Sequence, residues 1–138
     1  MEIIKIKLSK DLNKLNKDSI LESNNPIIIR KALDAKKFLA ITSIEDEFSK
    51  DYMDSKNSNF NNVLATIASR NNIGYALNIK SIMNSKNKVQ LFGKIQQNIK
   101  LCRKHKVKVY ILNNANKNPK DLEAFSRVLK IRTKIIKC

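Results

Sequence analysis

The sequence has 138 residues, a length typical of a single domain, so we expect one domain over residues 1–138. Its 28 Lys and Arg residues outnumber the 12 Asp and Glu residues, and the net charge of +16 favours a nucleic acid or an anionic membrane surface as partner. Two cysteines and one histidine exclude a disulfide framework and a Cys/His metal centre, and no apolar run is long enough to span a bilayer.

The amino-terminal stretch predicts a strand. Apolar and charged residues alternate over residues 2–8, which is the period-two pattern of a half-buried strand. Lys5 and Lys7 interrupt the apolar run that a signal peptide needs, so we expect a cytoplasmic protein with no membrane partner. A short helix is predicted over residues 11–15, and the rest of the polar stretch up to Asn25 has no predicted element.

Asn25 and Pro26 predict the start of a helix, because Asn caps helices and Pro suits the first helical position. The three Ile residues that follow also fit a strand, and a helix is our preferred interpretation. Residues 38–44 are a short apolar run, typical of a buried strand. The charged residues 45–50 predict one helical turn, and residues 51–54 predict a minimal strand.

Residues 60–112 are the segment around which the rest of the chain is organised. Apolar residues recur at helical spacing over residues 60–68, which predicts an amphipathic helix. Residues 73–79 predict a central strand, residues 86–105 a long helix, and residues 107–112 a further strand. The order helix, strand, helix, strand is typical of two βαβ-type units that share their middle strand.

The long helix is predicted to bury one face and expose the other. Its apolar arc consists of Leu91, Phe92, Ile95, Ile99 and Cys102. The predicted polar face carries Gln90, Gln97, Lys100 and Lys104, with Lys94 on its flank. Leu101 falls among these polar residues and does not fit the pattern.

Asn118 and Pro119 predict the start of a last helix, and the tail after it predicts either a strand or a frayed end. Alternation of strands and helices along the whole chain predicts a parallel sheet covered by helices, with five or six strands. A closed barrel of eight βα units typically takes about 200 residues or more. We therefore expect an α/β fold whose sheet is open or forms an incomplete barrel.

Charge is distributed unevenly along the chain. Residues 1–54 carry ten acidic and ten basic residues, whereas residues 55–120 carry 13 basic residues and no acid. A lysine-rich genome would explain many surface lysines, but it would not remove acids from the middle of the chain. The acid-free segment therefore predicts a polyanionic partner.

Basic residues are dense in the second half of this segment. We predict nine of them as RNA-binding residues: Lys80, Lys86, Lys88, Lys94, Lys100, Arg103, Lys104, Lys106 and Lys108. Such charges neutralise phosphates without selecting bases. Tyr75 and Tyr110 lie in predicted core strands, so exposed aromatic platforms for single-stranded bases are scarce. The expected partner is a folded RNA bound by shape and charge.

Catalytic motifs are missing from the sequence. The two glycines cannot form a glycine-rich phosphate loop or a nucleophile elbow. Cys102 and His105 supply only two metal ligands, and we expect a core cysteine and a surface histidine. The acids at positions 45, 46, 47, 51 and 54 could bind Mg²⁺, although a solvated loop is the preferred interpretation. We predict that the chain itself is non-catalytic, with no protein cofactor.

Three stretches carry a family resemblance over about residues 60–129. The segments NNVLATIASRNNIGYALNI, KVQLFGKIQQNIKLCRKHKVKVYILNNA and NPKDLEAFSRVL resemble RNase P protein component 3, the archaeal counterpart of the thirty-kilodalton subunit of the eukaryotic enzyme. The sequence departs from the family at Asn62, where the family tends to have His, and at Lys130, where it tends to have Gly. The part before residue 60 is shortened.

The resemblance implies a TIM-barrel-like fold related to metal phosphoesterases that has lost the metal site. It also implies a subunit of a ribonucleoprotein that removes the 5′ leader of precursor tRNA. In that complex the RNA is the catalyst and binds Mg²⁺, and the protein binds RNase P RNA together with a small partner subunit. Two alternatives stay open: another RNA-binding protein, such as a ribosomal or ribosome-associated one, and a small basic α/β enzyme or receiver-like domain.

Overall fold

The computed structural model describes residues 2–6, 9–35, 37–45, 58–129 and 133–137. Six strands form one sheet: β1 (Glu2–Lys5), β2 (Ser19–Glu22), β3 (Ala40–Thr42), β4 (Gly74–Asn78), β5 (Val109–Asn113) and β6 (Thr133–Lys137). The helices are α1 (Pro26–Ala35), α2 (Asn62–Arg70), α3 (Ile79–Met83), α4 (Lys88–His105) and α5 (Pro119–Val128), and a 3-10 helix spans Ser9–Lys14.

The strands are all parallel and lie side by side in chain order, from β1 to β6. Right-handed crossovers between such neighbours place every connecting helix on the same face of the sheet. The core agrees with this, because Ile41, Tyr75 and Ile111 on one face pack with helix residues. The other face carries a cluster formed by strand residues, among them Ala76 and Leu112.

Sequential parallel strands with helices on one face form the wall of a TIM-like barrel, and six strands are fewer than the eight of the complete fold. The predicted α/β, TIM-barrel-like architecture with a shortened sheet is thus confirmed. The helix at Pro26 is confirmed, and of the two alternatives for the tail the structure has the strand, Thr133–Lys137. Of the helical turn predicted over residues 45–50 only Glu45 is described, and it is not helical; the strand predicted over 51–54 lies outside the described residues.

Two elements escaped prediction because they are short. β2 has four residues, and its Ile20 and Leu21 are both fully buried on opposite faces, so no alternation marks it. α3 has five residues and is capped by Asn78, whose side-chain oxygen accepts a hydrogen bond from the backbone N–H of Ser81. Tertiary packing and a cap create these elements, and neither produces a periodic pattern.

Gly74 is required at the start of β4 by a close approach. A Cβ at this position would lie 2.9 Å from the carbonyl oxygen of Lys108 and would also meet the ring of Tyr110. The backbone pairing of β4 with β5 fixes both neighbours, since the Tyr75 N–H donates to the same Lys108 oxygen at 2.8 Å. Glycine therefore leaves the space beside β4 that the Tyr110 ring of β5 occupies.

The apolar arc of α4 is core, with one correction. Leu91, Ile95, Ile99 and Cys102 are buried as predicted, and Phe92 is partly exposed. The predicted position of Lys94 on the exposed flank is wrong, because this residue has 0% relative exposure. Asn98 is also fully buried, so polar side chains widen the buried face of α4.

Truncation of the α4 core is expected to cost much of the stability of the fold. Ile95 is 0% and Ile99 is 2% exposed, and each Ile→Ala change should lower the free energy of unfolding by about 2–5 kcal/mol. Urea denaturation followed by circular dichroism measures the loss. Val89→Ala is the matched control, since Val89 on the same helix is 87% exposed. RNA binding lost without any change in stability would instead assign this face to a partner.

Candidate nucleic-acid interface

α4 positions most of the predicted basic residues. The helix begins where the Asn87 side chain caps it and ends at Lys106, which adopts the left-handed conformation with φ 58° and donates its N–H to the Cys102 carbonyl. Its 18 residues span about 27 Å. Arg103, Lys104 and His105 occupy the last turn, where positive side chains compensate the negative end of the helix dipole.

The structure divides the predicted basic residues into two exposed groups. The first, which we name the α3–α4 lysines, lies on α3 and around the start of α4 and contains Lys80, Lys86 and Lys88. The second, the α4-end group, contains Lys100, Arg103, Lys104, Lys106 and Lys108. Because α4 runs back across the sheet between two parallel strands, the groups lie at opposite ends of the strands.

Lys104 of the α4-end group and the neighbouring His105 form hydrogen-bonding contacts with α2. The Asn62 side-chain oxygen lies 3.4 Å from Lys104 Nζ and 2.9 Å from His105 Nε2. His105 Nδ1 lies 3.4 Å from the Thr66 hydroxyl oxygen. These contacts hold Lys104 beside the start of α2, so its charge has a defined position on the surface.

One further contact and one further exposed basic residue extend this surface. Arg103 Nη2 donates to the Leu129 carbonyl oxygen at 3.4 Å, which ties the end of α4 to the end of α5. Arg70 ends α2 about 12 Å along that helix from Asn62, and its side chain is exposed. Arg70 was not among the predicted RNA-binding residues, although it is the one basic residue of α2 and lies in the acid-free segment.

Cys102 and His105 do not form a metal pair. Cys102 is fully buried, and burial raises the pKa of its thiol to about 12, so it stays protonated and inert. His105 is partly exposed and faces Asn62 and Thr66. The predicted core cysteine and surface histidine are confirmed.

Lys94 belongs to a buried polar cluster and is not part of the exposed basic surface. The Tyr75 hydroxyl donates to Glu45 Oε2 at 2.8 Å, and the Asn98 side-chain nitrogen donates to the same oxygen at 3.4 Å. The positive charge of Lys94 acts on the Glu45 carboxylate. Phe60 stacks on the Tyr75 ring with 6.2 Å between centroids. We name four residues the buried polar cluster: the partly exposed Glu45 and the fully buried Tyr75, Lys94 and Asn98.

Burial dominates the protonation of this cluster. It raises the pKa of Glu45 above its ordinary value, and the hydrogen bonds from Tyr75 and Asn98 together with the Lys94 charge act in the opposite direction. Burial, followed by the Glu45 charge, raises the pKa of the Tyr75 hydroxyl well above its ordinary value. Tyr75 is therefore a permanent hydrogen-bond donor to Glu45.

Tyr75→Phe removes this donor and is expected to cost about 1–3 kcal/mol of unfolding free energy at neutral pH. Burial raises the folded-state pKa of Glu45, so this carboxyl becomes protonated as pH falls through that pKa. The energetic cost of keeping it ionised in the folded protein then disappears. The cost of Tyr75→Phe should therefore be largest above the folded pKa and shrink below it. Urea denaturation between pH 4 and pH 8 measures this, and Tyr110→Phe on β5 is the control. A pH-independent cost contradicts the assignment.

Candidate metal ligands are sparse in the structure. Within the described ranges, no group of three or more His, Cys, Asp or Glu side chains is placed to hold a metal ion. Of the five acids weighed as Mg²⁺ ligands, only Glu45 lies in the described part, and it belongs to the buried polar cluster. The acids at positions 46, 47, 51 and 54 lie outside the described residues. In the same part of the chain, none of the helices has the length and apolar character needed to cross a bilayer.

Sequence comparisons give no match, either to a protein-family model or to a curated protein. The fold itself is similar to a chain in a cryo-EM structure of archaeal ribonuclease P with mature tRNA. That similarity has a TM-score of 0.75 and 27% sequence identity over 94% of this chain. This chain spans 59% of the length of the ribonuclease P chain. The two chains therefore share one architecture over nearly all of this chain.

Proposed function

We propose that this chain is a protein subunit of ribonuclease P, the ribonucleoprotein that removes the 5′ leader of precursor tRNA, and that it binds and supports the catalytic RNA. The observation that carries the proposal is the similarity to a chain of archaeal ribonuclease P over 94% of this sequence. The independent resemblance of residues 60–129 to RNase P protein component 3 points to the same complex.

The exposed basic residues supply the chemistry that such a role needs. The α4-end group places five positive side chains within nine residues, and the described residues from 58 to 120 carry no acid to neutralise them. Lysine and arginine at this density bind phosphates by releasing counterions, and they select a folded RNA by the spacing of its phosphates. We assign the primary RNA contact to this group and a second contact to the α3–α4 lysines.

In the proposed complex the protein is a scaffold. The RNA performs the hydrolysis with Mg²⁺ bound to the RNA, and the protein holds the RNA in its active conformation. Precursor tRNA is the substrate, and other subunits, including a small partner protein, complete the particle. Such a subunit works in the cytoplasm, where tRNA precursors are processed.

The RNA that the protein carries from its native host tests the proposal. The tagged full chain is purified under conditions that preserve ribonucleoproteins, and the bound RNA is sequenced. Strong enrichment of RNase P RNA, together with release of the 5′ leader from precursor tRNA by the purified particle, is the expected result. Enrichment of ribosomal RNA instead would favour the ribosome-associated alternative.

The same preparation separates a scaffold from an enzyme. Digestion of the RNA should abolish cleavage of precursor tRNA, and recombinant protein alone should not cleave it in Mg²⁺. Cleavage by RNA-free protein that disappears in Asp51→Asn or Asp54→Asn variants would assign the chemistry to this chain and overturn the scaffold role.

A further inference from the structure

A polar cavity of about 470 Å³ opens at the carboxyl ends of β1, β2 and β3. Its size lies in the range of small-molecule sites, and parallel βα folds place their ligands at this end of the sheet. The α4-end group lies at the opposite end of the strands, so the cavity is a separate feature. The α3–α4 lysines lie at the same end as the cavity, beyond the neighbouring strand β4.

Lys5 and Glu22 bring opposite charges to the wall of this cavity. They stand opposite each other in the pairing of β1 with β2. Lys5 follows Ile3 by two residues, and Glu22 follows Ile20 by two. Ile3 and Ile20 belong to the cluster on the sheet face that carries no helices, so the Lys5 and Glu22 side chains point to that face too. In the described part of the chain the ion pairs are Lys14–Asp11 and Arg30–Asp34, so Lys5 and Glu22 do not neutralise each other.

Ser43 and Asn24 add hydrogen-bonding groups to the same wall. The Ser43 hydroxyl oxygen is buried and has no hydrogen-bond partner, and rotation of its side chain toward the cavity would give it one. The backbone oxygen of Asn24 accepts from Asn59, and its side-chain amide forms no hydrogen bond with the described residues. Lys5 and Asn24 are exposed and Glu22 is partly exposed, so a cation, an amide and a carboxylate face one open space beside the buried Ser43 hydroxyl.

The charges select the class of ligand. Glu22 repels a simple phosphate, and Lys5 repels a metal cation. A ligand that satisfies both carries an anionic group and a hydrogen-bond donor, which a nucleotide provides through its phosphate and the amino group of its base. Carboxylate side chains accept hydrogen bonds from such amino groups, and proteins read unpaired RNA bases through these edges.

We propose that this cavity binds one nucleotide whose base carries an amino group, with Glu22 accepting from the base and Lys5 contacting the phosphate. The Ser43 hydroxyl and the Asn24 amide complete the hydrogen bonds. The nucleotide is either free or an unpaired residue of RNA. The second source rests on the proposed function and uses the α3–α4 lysines for the flanking phosphates.

Titration of the full chain with AMP, CMP, GMP and UMP, followed by amide chemical shifts in NMR spectra, tests the site. We expect saturable shifts around Lys5, Glu22 and Ser43, and AMP, CMP and GMP binding about 10-fold more tightly than UMP, which lacks the amino group. Glu22→Gln should remove the preference, and Lys5→Gln should weaken all four nucleotides. Lys14→Gln, outside the cavity, is the matched control.

Three outcomes would overturn the proposal: no saturable shifts at the cavity with any nucleotide, equal binding of all four that survives Glu22→Gln, or equally tight binding of a free amino acid such as glutamine. Displacement of AMP by hexaadenylate identifies RNA as the source, and AMP binding that hexaadenylate does not disturb identifies a free nucleotide. A variant that lacks the positive charges of Lys100, Lys104 and Lys108 should still bind AMP. Loss of RNA binding alone in that variant therefore leaves this site intact.

Discussion

Replacement of Lys100, Lys104 and Lys108 by Gln is expected to weaken binding of the protein to structured RNA about 10- to 100-fold near physiological salt. All three side chains are exposed, and Lys100 and Lys104 lie one turn apart on α4. Each phosphate contact contributes about one unit to the slope of log affinity against log salt, so the slope should fall by about three units. Fluorescence anisotropy with labelled RNase P RNA between 50 and 500 mM salt measures both quantities.

A charge-matched control separates a local interface from general electrostatic attraction. Lys10, Lys14 and Lys17 are exposed residues in the net-neutral first part of the chain, and their replacement by Gln removes the same three charges. The control variant should retain affinity within about twofold, since charges beyond a Debye length of about 8–10 Å are screened. The assignment of this surface is contradicted if both triple variants weaken RNA binding equally. It is also contradicted if the variant at Lys100, Lys104 and Lys108 binds RNA with wild-type affinity.

Lys94→Met is expected to lower the free energy of unfolding by about 1–3 kcal/mol, because it leaves the partly exposed Glu45 carboxyl without its positive neighbour. Lys94 is 0% exposed, and its charge stabilises the ionised form of Glu45 against the effect of burial. The salt dependence of RNA binding, measured well below the melting temperature, should not change. Urea denaturation and anisotropy therefore separate a core lysine from a phosphate-binding one.

A second substitution tests whether Glu45 is the group that Lys94 serves. The double variant Lys94→Met with Glu45→Gln removes both charges and should recover at least half of the lost stability. Lys100→Met, an exposed position on the same helix, is the control and should stay within about 0.5 kcal/mol of the wild type. A double variant as unstable as Lys94→Met would show that Lys94 stabilises the fold through another group.

Helix caps and apolar spacing predicted correctly the helices in which these local signals are strong. Asn118 and Pro119 fix the start of α5 through a cap and a preset dihedral angle, and the apolar spacing of α4 identified its core. Lys94 was misplaced because a helical wheel assigns faces by residue type, whereas the buried face also includes polar groups that find partners. Glu45 lies 49 residues earlier in the chain, and no periodicity in the sequence links it to Lys94.

The sequence predicted which basic residues form the surface, but only part of their arrangement in space. The absence of acids from residues 55–120 is a property of the sequence, and it identified the segment that carries most exposed positive charge. The division of that charge between two ends of the sheet follows from the direction of α4, which depends on tertiary structure. The cavity near Lys5 was not predicted for the same reason. Glu22 and Ser43 line it together with Lys5 only because β1, β2 and β3 are neighbours in the sheet.

Lys106 adopts, at the end of α4, a left-handed conformation that glycine enters without strain. A side chain with a Cβ costs about 1–2 kcal/mol there. The protein accepts this cost and keeps an ammonium group at the point where the chain reverses from α4 toward β5. Stability and charge thus compete at this residue. In the proposed complex an RNA phosphate bound to the Lys106 ammonium would stabilise the folded state, while the backbone strain itself would remain. On that proposal the free protein is less stable than its fold allows, and RNA binding raises its stability again.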